Sequence, residues 1–426
     1  MALAAKTILG LGLLAAAYLL GIPGCASGPA KTEKAQYMFW PPAPDLPHVQ
    51  FLMAISSSKD VTEKQGSFED VIYGSDNSGG LPFFRPYGIR MIDGNLYVCD
   101  ASIGNVSVIN FRKKELRVIG TTGQIHLAKP IDIAVAPEGT RYIADTGSGV
   151  VMVYDAGDKY VGRIAVKTMR PISVAVWDKE LYVSDIANSK VRVFDRFNGK
   201  ELRTIGDKGG GDGKFGGAMG LCLDTQGNLY VNDVIGCRVQ KFSPEGKFIS
   251  AIGGLGTSSG KFVRPKLMTV DSSGILYVVD NAFQNVQMFN AQGQVLMAFG
   301  GPGKHPGSME MPAGVCVSDT DLDLFAKYVH PAIQIQRLIF VTNNAGPKRI
   351  NIYALGELKP GKTVADLTAG RVEGIFGFEK NTPTTDLLQL PSDDAATQPS
   401  TQASTQSSTQ PANATAPASG PATTQP

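Results

Sequence analysis

Charge is scarce in this chain. Of 426 residues only 18% are Asp, Glu, Lys or Arg, and 40 basic residues against 38 acidic ones leave a net charge of +2. A chain so close to balance carries no field that steers polyanions, so nucleic acid is not an expected partner. Histidine is scarcer still, at four, and tryptophan occurs twice. That argues against a histidine-rich metal or acid–base centre. Beyond the N-terminus no apolar run reaches the roughly 18 residues that a membrane-crossing helix needs. Helical periodicity is nearly absent as well. What is present is 49 glycines and 26 prolines, set between short apolar runs. This is the composition of a β-rich body with something different at each end.

The N-terminal end reads as an export signal over residues 1–24. Lys6 supplies the positive start, and Ile8 to Leu20 is an almost unbroken apolar stretch. Ile22-Pro23-Gly24-Cys25 then resembles the lipobox of bacterial lipoproteins, although Pro23 departs from the small residue usual at its position. The resemblance implies cleavage before Cys25, lipidation of its thiol, and a stalk over 25–48. Ordinary cleavage after Ala26 and an uncleaved anchor are the alternatives. Ala26 and Ser27 follow in place of an aspartate, which by the same resemblance implies the outer membrane or its periplasmic face. At the other end, residues 357–390 form an extension. From 391 to 426 the chain is Pro, Ser, Thr, Gln and Ala with only Asp393 and Asp394 charged. Such a segment has too little apolar surface to offset its ordering entropy, so a disordered tail is expected.

Between the ends one phrase recurs: aromatic, aliphatic, any residue, Asp. It runs Tyr97 to Asp100, Tyr142 to Asp145, Tyr182 to Asp185, Tyr230 to Asp233 and Tyr277 to Asp280, with a weaker copy at Phe340 to Asn343. Start-to-start spacings are 45, 40, 48, 47 and 63 residues, which suit four-stranded propeller blades with one insertion. In the fourth copy, apolar Met219 to Asp224, Asn228 to Asp233, alternating Cys237 to Phe242, and Lys247 to Ile252 are separated by Gly and Pro turns. The sixth copy lacks a fourth strand, and Val49 to Ile55 is an orphan strand of that character. Docked together, they would close the ring without a free edge. The expected fold is all-β, a six-bladed β-propeller over 49–356, closed by an N-terminal strand.

The phrase, the Gly209-Gly210-Gly211-Asp212-Gly213-Lys214-Phe215 loop and the proline opening the next strand resemble NHL repeats. Together with Trp40-Pro41-Pro42 after a lipobox, the chain is similar to bacterial six-bladed NHL-type lipoproteins. The resemblance implies a fold and an address more than an activity, because propellers host enzymes and binders alike.

Five aspartates, Asp100, Asp145, Asp185, Asp233 and Asp280, end the second strands. Five acids around a channel could form a cation site; the simpler expectation is that each caps its own turn through backbone amides. A base precedes the opening proline at Arg85, Lys129, Arg170 and Arg264, 15 or 16 residues before the aspartate of its own blade. Blade six has Met311 and Asn343 instead, losing base and acid together, which points to an ion pair within each blade. The other reading is a cationic rim that receives carboxylate, phosphate or acidic glycan.

His48, His126, His305 and His330 are scattered. Propeller lyases that hold zinc with channel histidines, and lactonases that hold calcium with Asp, Asn and Glu, cannot be matched here residue by residue. Cys99, Cys222, Cys237 and Cys316 fall in strands and read as buried free thiols. The insertion 319–336, with Leu322, Phe325, Ala326 and Val329 at rough helical spacing, would lie on the face opposite the aspartates, either packed under the ring or as a docking handle. The leading expectation is a monomeric, non-catalytic, envelope-anchored scaffold for an envelope protein or an anionic glycan or peptide. It touches the membrane only through its lipid and needs no cofactor. The alternative is a Ca- or Zn-dependent hydrolase or lyase with its site in the central channel.

Overall fold

The structure is a computed structural model and describes residues 37–61, 81–121 and 125–368. The export signal, Cys25 and the tail over 391–426 lie outside these. The chain is a six-bladed β-propeller. Blade one runs Pro86–Ile92, Asn95–Asp100, Asn105–Asn110 and Glu115–Ile119. The next four blades begin at Pro130, Pro171, Ala218 and Pro265, and each is a four-stranded antiparallel sheet in chain order. Period-two strands of Val, Ile and Tyr bury both faces here, because each sheet is packed between two others. The phrase aromatics fill those interfaces: Tyr142, Tyr182, Tyr230 and Tyr277 are fully buried, and each such ring contributes about 2–3 kcal/mol by leaving water.

Blade six is assembled from separate stretches. Its sheet orders as Pro312–Ser318, Ile333–Asn343, Ile350–Leu358, Val49–Ile55 and Met38–Trp40. Val49 pairs with Leu355 and Ile55 with Ile350, so the N-terminal strand closes the ring as its alternation suggested. Residues expected as stalk supply something more. Met38–Trp40 adds a fifth strand, Met38 opposite Phe51 and Trp40 opposite Val49. Trp40 meets the buried Tyr353 edge-on at 5.7 Å, and the Tyr353 hydroxyl donates to Gly307 O at 2.7 Å.

The insertion forms a 3-10 helix, Leu322–Tyr328, on the face opposite the phrase aspartates. Phe325 is buried, edge-on to Phe111 at 5.0 Å and Phe340 at 5.8 Å. Asp321 accepts from Gly94 N at 2.8 Å and pairs with Arg112 at 2.6 Å. The insertion therefore packs under the ring and straps blade six to blade one.

Candidate binding face at the channel mouth

Strand two of every blade ends, and strand one begins, on the same face. There each phrase aspartate is fully buried and is held by amides. Asp100 accepts from Phe84 N at 2.7 Å, Arg85 N at 3.1 Å and Ser102 N at 3.0 Å. Asp145 accepts from Ala128 N at 2.9 Å and Lys129 N at 2.6 Å. Asp185 accepts from Arg170 N at 3.1 Å. Asp280 accepts from Val263 N at 2.8 Å, Arg264 N at 3.2 Å and Ala282 N at 2.9 Å. Asp233, where glycines replace the base, accepts from Gly216 N at 2.9 Å and Gly217 N at 3.0 Å.

The ion pair expected within each blade is not what brings these residues together. The backbone N–H of Arg85, Lys129, Arg170 and Arg264 reaches the acid, while the four side chains are exposed. Among the described residues none of the four has a carboxylate partner. The reason is geometric. A buried carboxylate needs several donors, and the turn before the opening proline offers consecutive amides pointing inward, which turns the side chain outward. Guanidinium contacts come from strand three instead: Arg192 on Asp185 at 2.8 Å and Arg238 on Asp233 at 3.5 Å. The paired loss in blade six follows as well. Asn343 accepts from Glu310 N at 3.2 Å but spends its amide on Lys348 O at 3.0 Å.

Sequence reasoning missed the ring just inside the bases. In all six inner strands the pairing register shifts right after the opening position, a bulge that re-aims the next side chain. Those residues are Tyr87, Ile131, Ile172, Met219, Lys266 and Ala313. Tyr87, Ile131, Ile172 and Met219, from four successive blades, meet in one apolar cluster with Ala101, Ile186 and Val234. They close the mouth from one side. The carbonyls at the bulges are taken by polar groups of the preceding blade: Ser184 donates to Met219 O at 2.6 Å, Asn232 to Lys266 O at 2.5 Å and Thr342 to Tyr87 O at 2.6 Å. Glycines follow where backbones touch. A Cβ on Gly314 would lie 2.2 Å from Tyr87 O, and one on Gly88 2.5 Å from Ile131 O. The signal was the residue after the opening position, which in the other five blades is apolar and in one is lysine.

Deeper in the ring, Arg90 stands 3.6 Å from the buried Asp132. The Ser173 hydroxyl donates to Asp132 Oδ2 at 2.5 Å and accepts from Leu221 N at 3.1 Å, stitching blades one to four. Burial pushes the Asp132 carboxyl up from the usual range, opposed by Arg90 and then by the Ser173 hydrogen bond. Cys99, Cys222, Cys237 and Cys316 are free and buried, and burial pushes the Cys316 thiol up to about 12. His48 and His126 are exposed, whereas His330 lies against the Tyr37 ring at 4.7 Å. Among the described residues no three His, Cys, Asp or Glu stand close enough together to hold a metal ion.

No protein-family model and no curated protein matches this sequence. Solved structures do. A protein of unknown function from Bacteroides thetaiotaomicron superposes with a TM-score of 0.52 at 17% identity, covering 72% of this chain and 75% of that one. A gluconolactonase from Xanthomonas campestris gives 0.46 at 15% identity, over 64% and 86%. A streptogramin B lyase gives 0.46 at 11%, over 65% and 95%. At such identities the likeness establishes the propeller fold and nothing of the chemistry.

Proposed function

We propose that this protein is a monomeric binding scaffold of the bacterial envelope, of the NHL-repeat lipoprotein kind, tethered through lipid on Cys25. Its channel-mouth face is offered to an anionic protein or glycan. One observation carries the reading: Arg85, Lys129, Arg170 and Arg264 have their backbones held by buried carboxylates or their turns, while their charged ends stand exposed with no acid paired among the described residues. Unneutralised cations around one opening raise the local concentration of anions and speed their docking. The metal-dependent alternative has no donor cluster among the described residues to favour it.

The test uses the full chain and a variant with all four bases changed to Ala, applied to poly-L-glutamate and to polygalacturonate. The wild type is expected to bind at least one polymer, and the variant to lose that binding while unfolding at the same temperature. Equal binding by the two chains would remove the mouth from the reading. The anchor is tested separately: Cys25→Ser is expected to move the protein from the membrane fraction to the soluble one.

A further inference from the structure

The ring has a second end, on the face away from the rim bases. The bulges give all six inner strands one register. Ile89, Ile133, Val174, Leu221, Met268 and Val315, three residues after the opening position, each pair with the residue two before the phrase Asp or Asn343. They therefore stand at one depth, and none is more than 1% exposed. The level nearer the rim is closed by backbone: a Cβ on Gly88 would lie 2.6 Å from the Asp132 Cα, and one on Gly220 3.2 Å from the Leu267 Cα. Toward the other face the ring opens. One residue further along, Arg90 and Thr269 are partly exposed, level with the small Ala134, Ala175, Cys222 and Cys316. At the next position Val135, Val176, Leu223, Val270 and Val317 are all partly exposed. This is a blind well with an aliphatic lip, reached by solvent from the face opposite the phrase aspartates.

Arg90 is the charged side chain at its base, 20% exposed. A guanidinium offers five N–H groups. Among the described residues its hydrogen bonding is confined to NH1 on Ile89 O at 3.1 Å. Asp132 does not take the others. Its Oδ2 lies 3.6 Å away and accepts instead from the Ser173 hydroxyl at 2.5 Å and Val174 N at 3.3 Å. The charge is felt across the well, where burial raises the Cys222 and Cys316 thiols of blades four and six and Arg90 opposes it. A largely buried guanidinium with idle donors favours an incoming carboxylate, whose two oxygens match its fork.

We propose that this well binds a small aliphatic monocarboxylate, whose carboxylate takes the idle N–H groups of Arg90 and whose alkyl group lies against the aliphatic lip. One guanidinium matches one carboxylate, and a hydroxylated acid would leave its hydroxyls unpaired against Val and Leu. The site lies at the opposite end of the ring from the rim bases and goes beyond the scaffold reading, on which it does not depend.

The experiment titrates the full chain with isovalerate, acetate and the neutral isovaleramide, followed by ligand-observed NMR. Isovalerate is expected to bind with a Kd of about 1 mM, acetate severalfold more weakly, and the amide about tenfold more weakly or worse. Arg90→Met combined with Asp132→Asn, which leaves no lone buried charge, should weaken isovalerate about tenfold or more, as for loss of a charge-assisted hydrogen bond. Asp132→Asn alone should tighten it severalfold, because the nearest competing negative charge is gone. The variant with all four rim bases changed to Ala should bind isovalerate as the wild type does.

No binding at about ten times the expected Kd overturns the site. So does an amide that binds as tightly as the acid, or affinity kept by the double variant. Acetate binding as tightly as isovalerate overturns the ligand class. Loss of isovalerate binding in the four-base variant would move the carboxylate to the mouth and overturn the well, whereas poly-L-glutamate binding by that variant tests the scaffold reading separately.

Discussion

Blades five and six occupy adjacent places in one ring yet solve the same problem differently. Blade five is a single stretch of chain whose Asp280 gathers the amides of Val263, Arg264 and Ala282. Blade six draws strands from both ends of the described chain and uses Asn343, which accepts one of the corresponding amides. A carboxylate is acceptor only, whereas an amide donates with half its valence. Asn therefore suits a corner that gathers fewer amides. The difference teaches that the repeated acid serves the backbone. The repeated base is left for another use, and blades four and six do without it.

The strongest way to break this comparison is to remove each acceptor. Asp280→Ala is expected to cost roughly 3–5 kcal/mol in urea unfolding, because several buried amides lose their partner, against about 1–2 kcal/mol for Asn343→Ala. Equal losses would mean the acid is not the blade's main tie. Backbone contact at the ring's closure comes next. Gly314→Ala, driving a Cβ into Tyr87 O, should cost about 3 kcal/mol, whereas Gly162→Ala on an outer strand with open space around it should cost under about 0.5 kcal/mol.

Outer edges sharpen it further. Phe39, buried on the fifth strand of blade six, is expected to cost about 2 kcal/mol as Ala; Leu296, exposed on the outer strand of blade five, should cost almost nothing. The smallest effect is pH dependence in blade six. Burial holds His330 below its usual 6.5, only partly opposed by Asp366. Its neutral form is therefore the one that favours folding, and that contribution is present above pH 6.5. It declines as pH falls through 6.5 toward the folded value, because the unfolded chain binds the proton first. Midpoints at about pH 7.5 and 5.5 should differ less in His330→Phe than in the wild type.

The architecture was readable because a propeller repeats its own instructions. Five copies of Tyr-aliphatic-any-Asp at blade spacing, and an orphan strand at Val49, are enough to infer ring and closure. Met38–Trp40 was not, since three residues ahead of Pro41-Pro42 carry too little alternation to register as a strand. The site was half legible. Spacing placed Arg85 near Asp100 but could not say which end of the arginine arrives, since an amide and a guanidinium sit at one sequence position. Bulges leave no compositional trace, so the place of Lys266 beside the rim shows only in the pairing register.

That the rim cations receive anions is the central claim. Its most direct test is the salt dependence of poly-L-glutamate binding by the wild-type chain and the four-base variant. Affinity that falls steeply with rising salt in the wild type, and a flat or absent response in the variant, is the predicted result. The same affinity and the same slope in both chains would place the anion contact elsewhere and contradict the account.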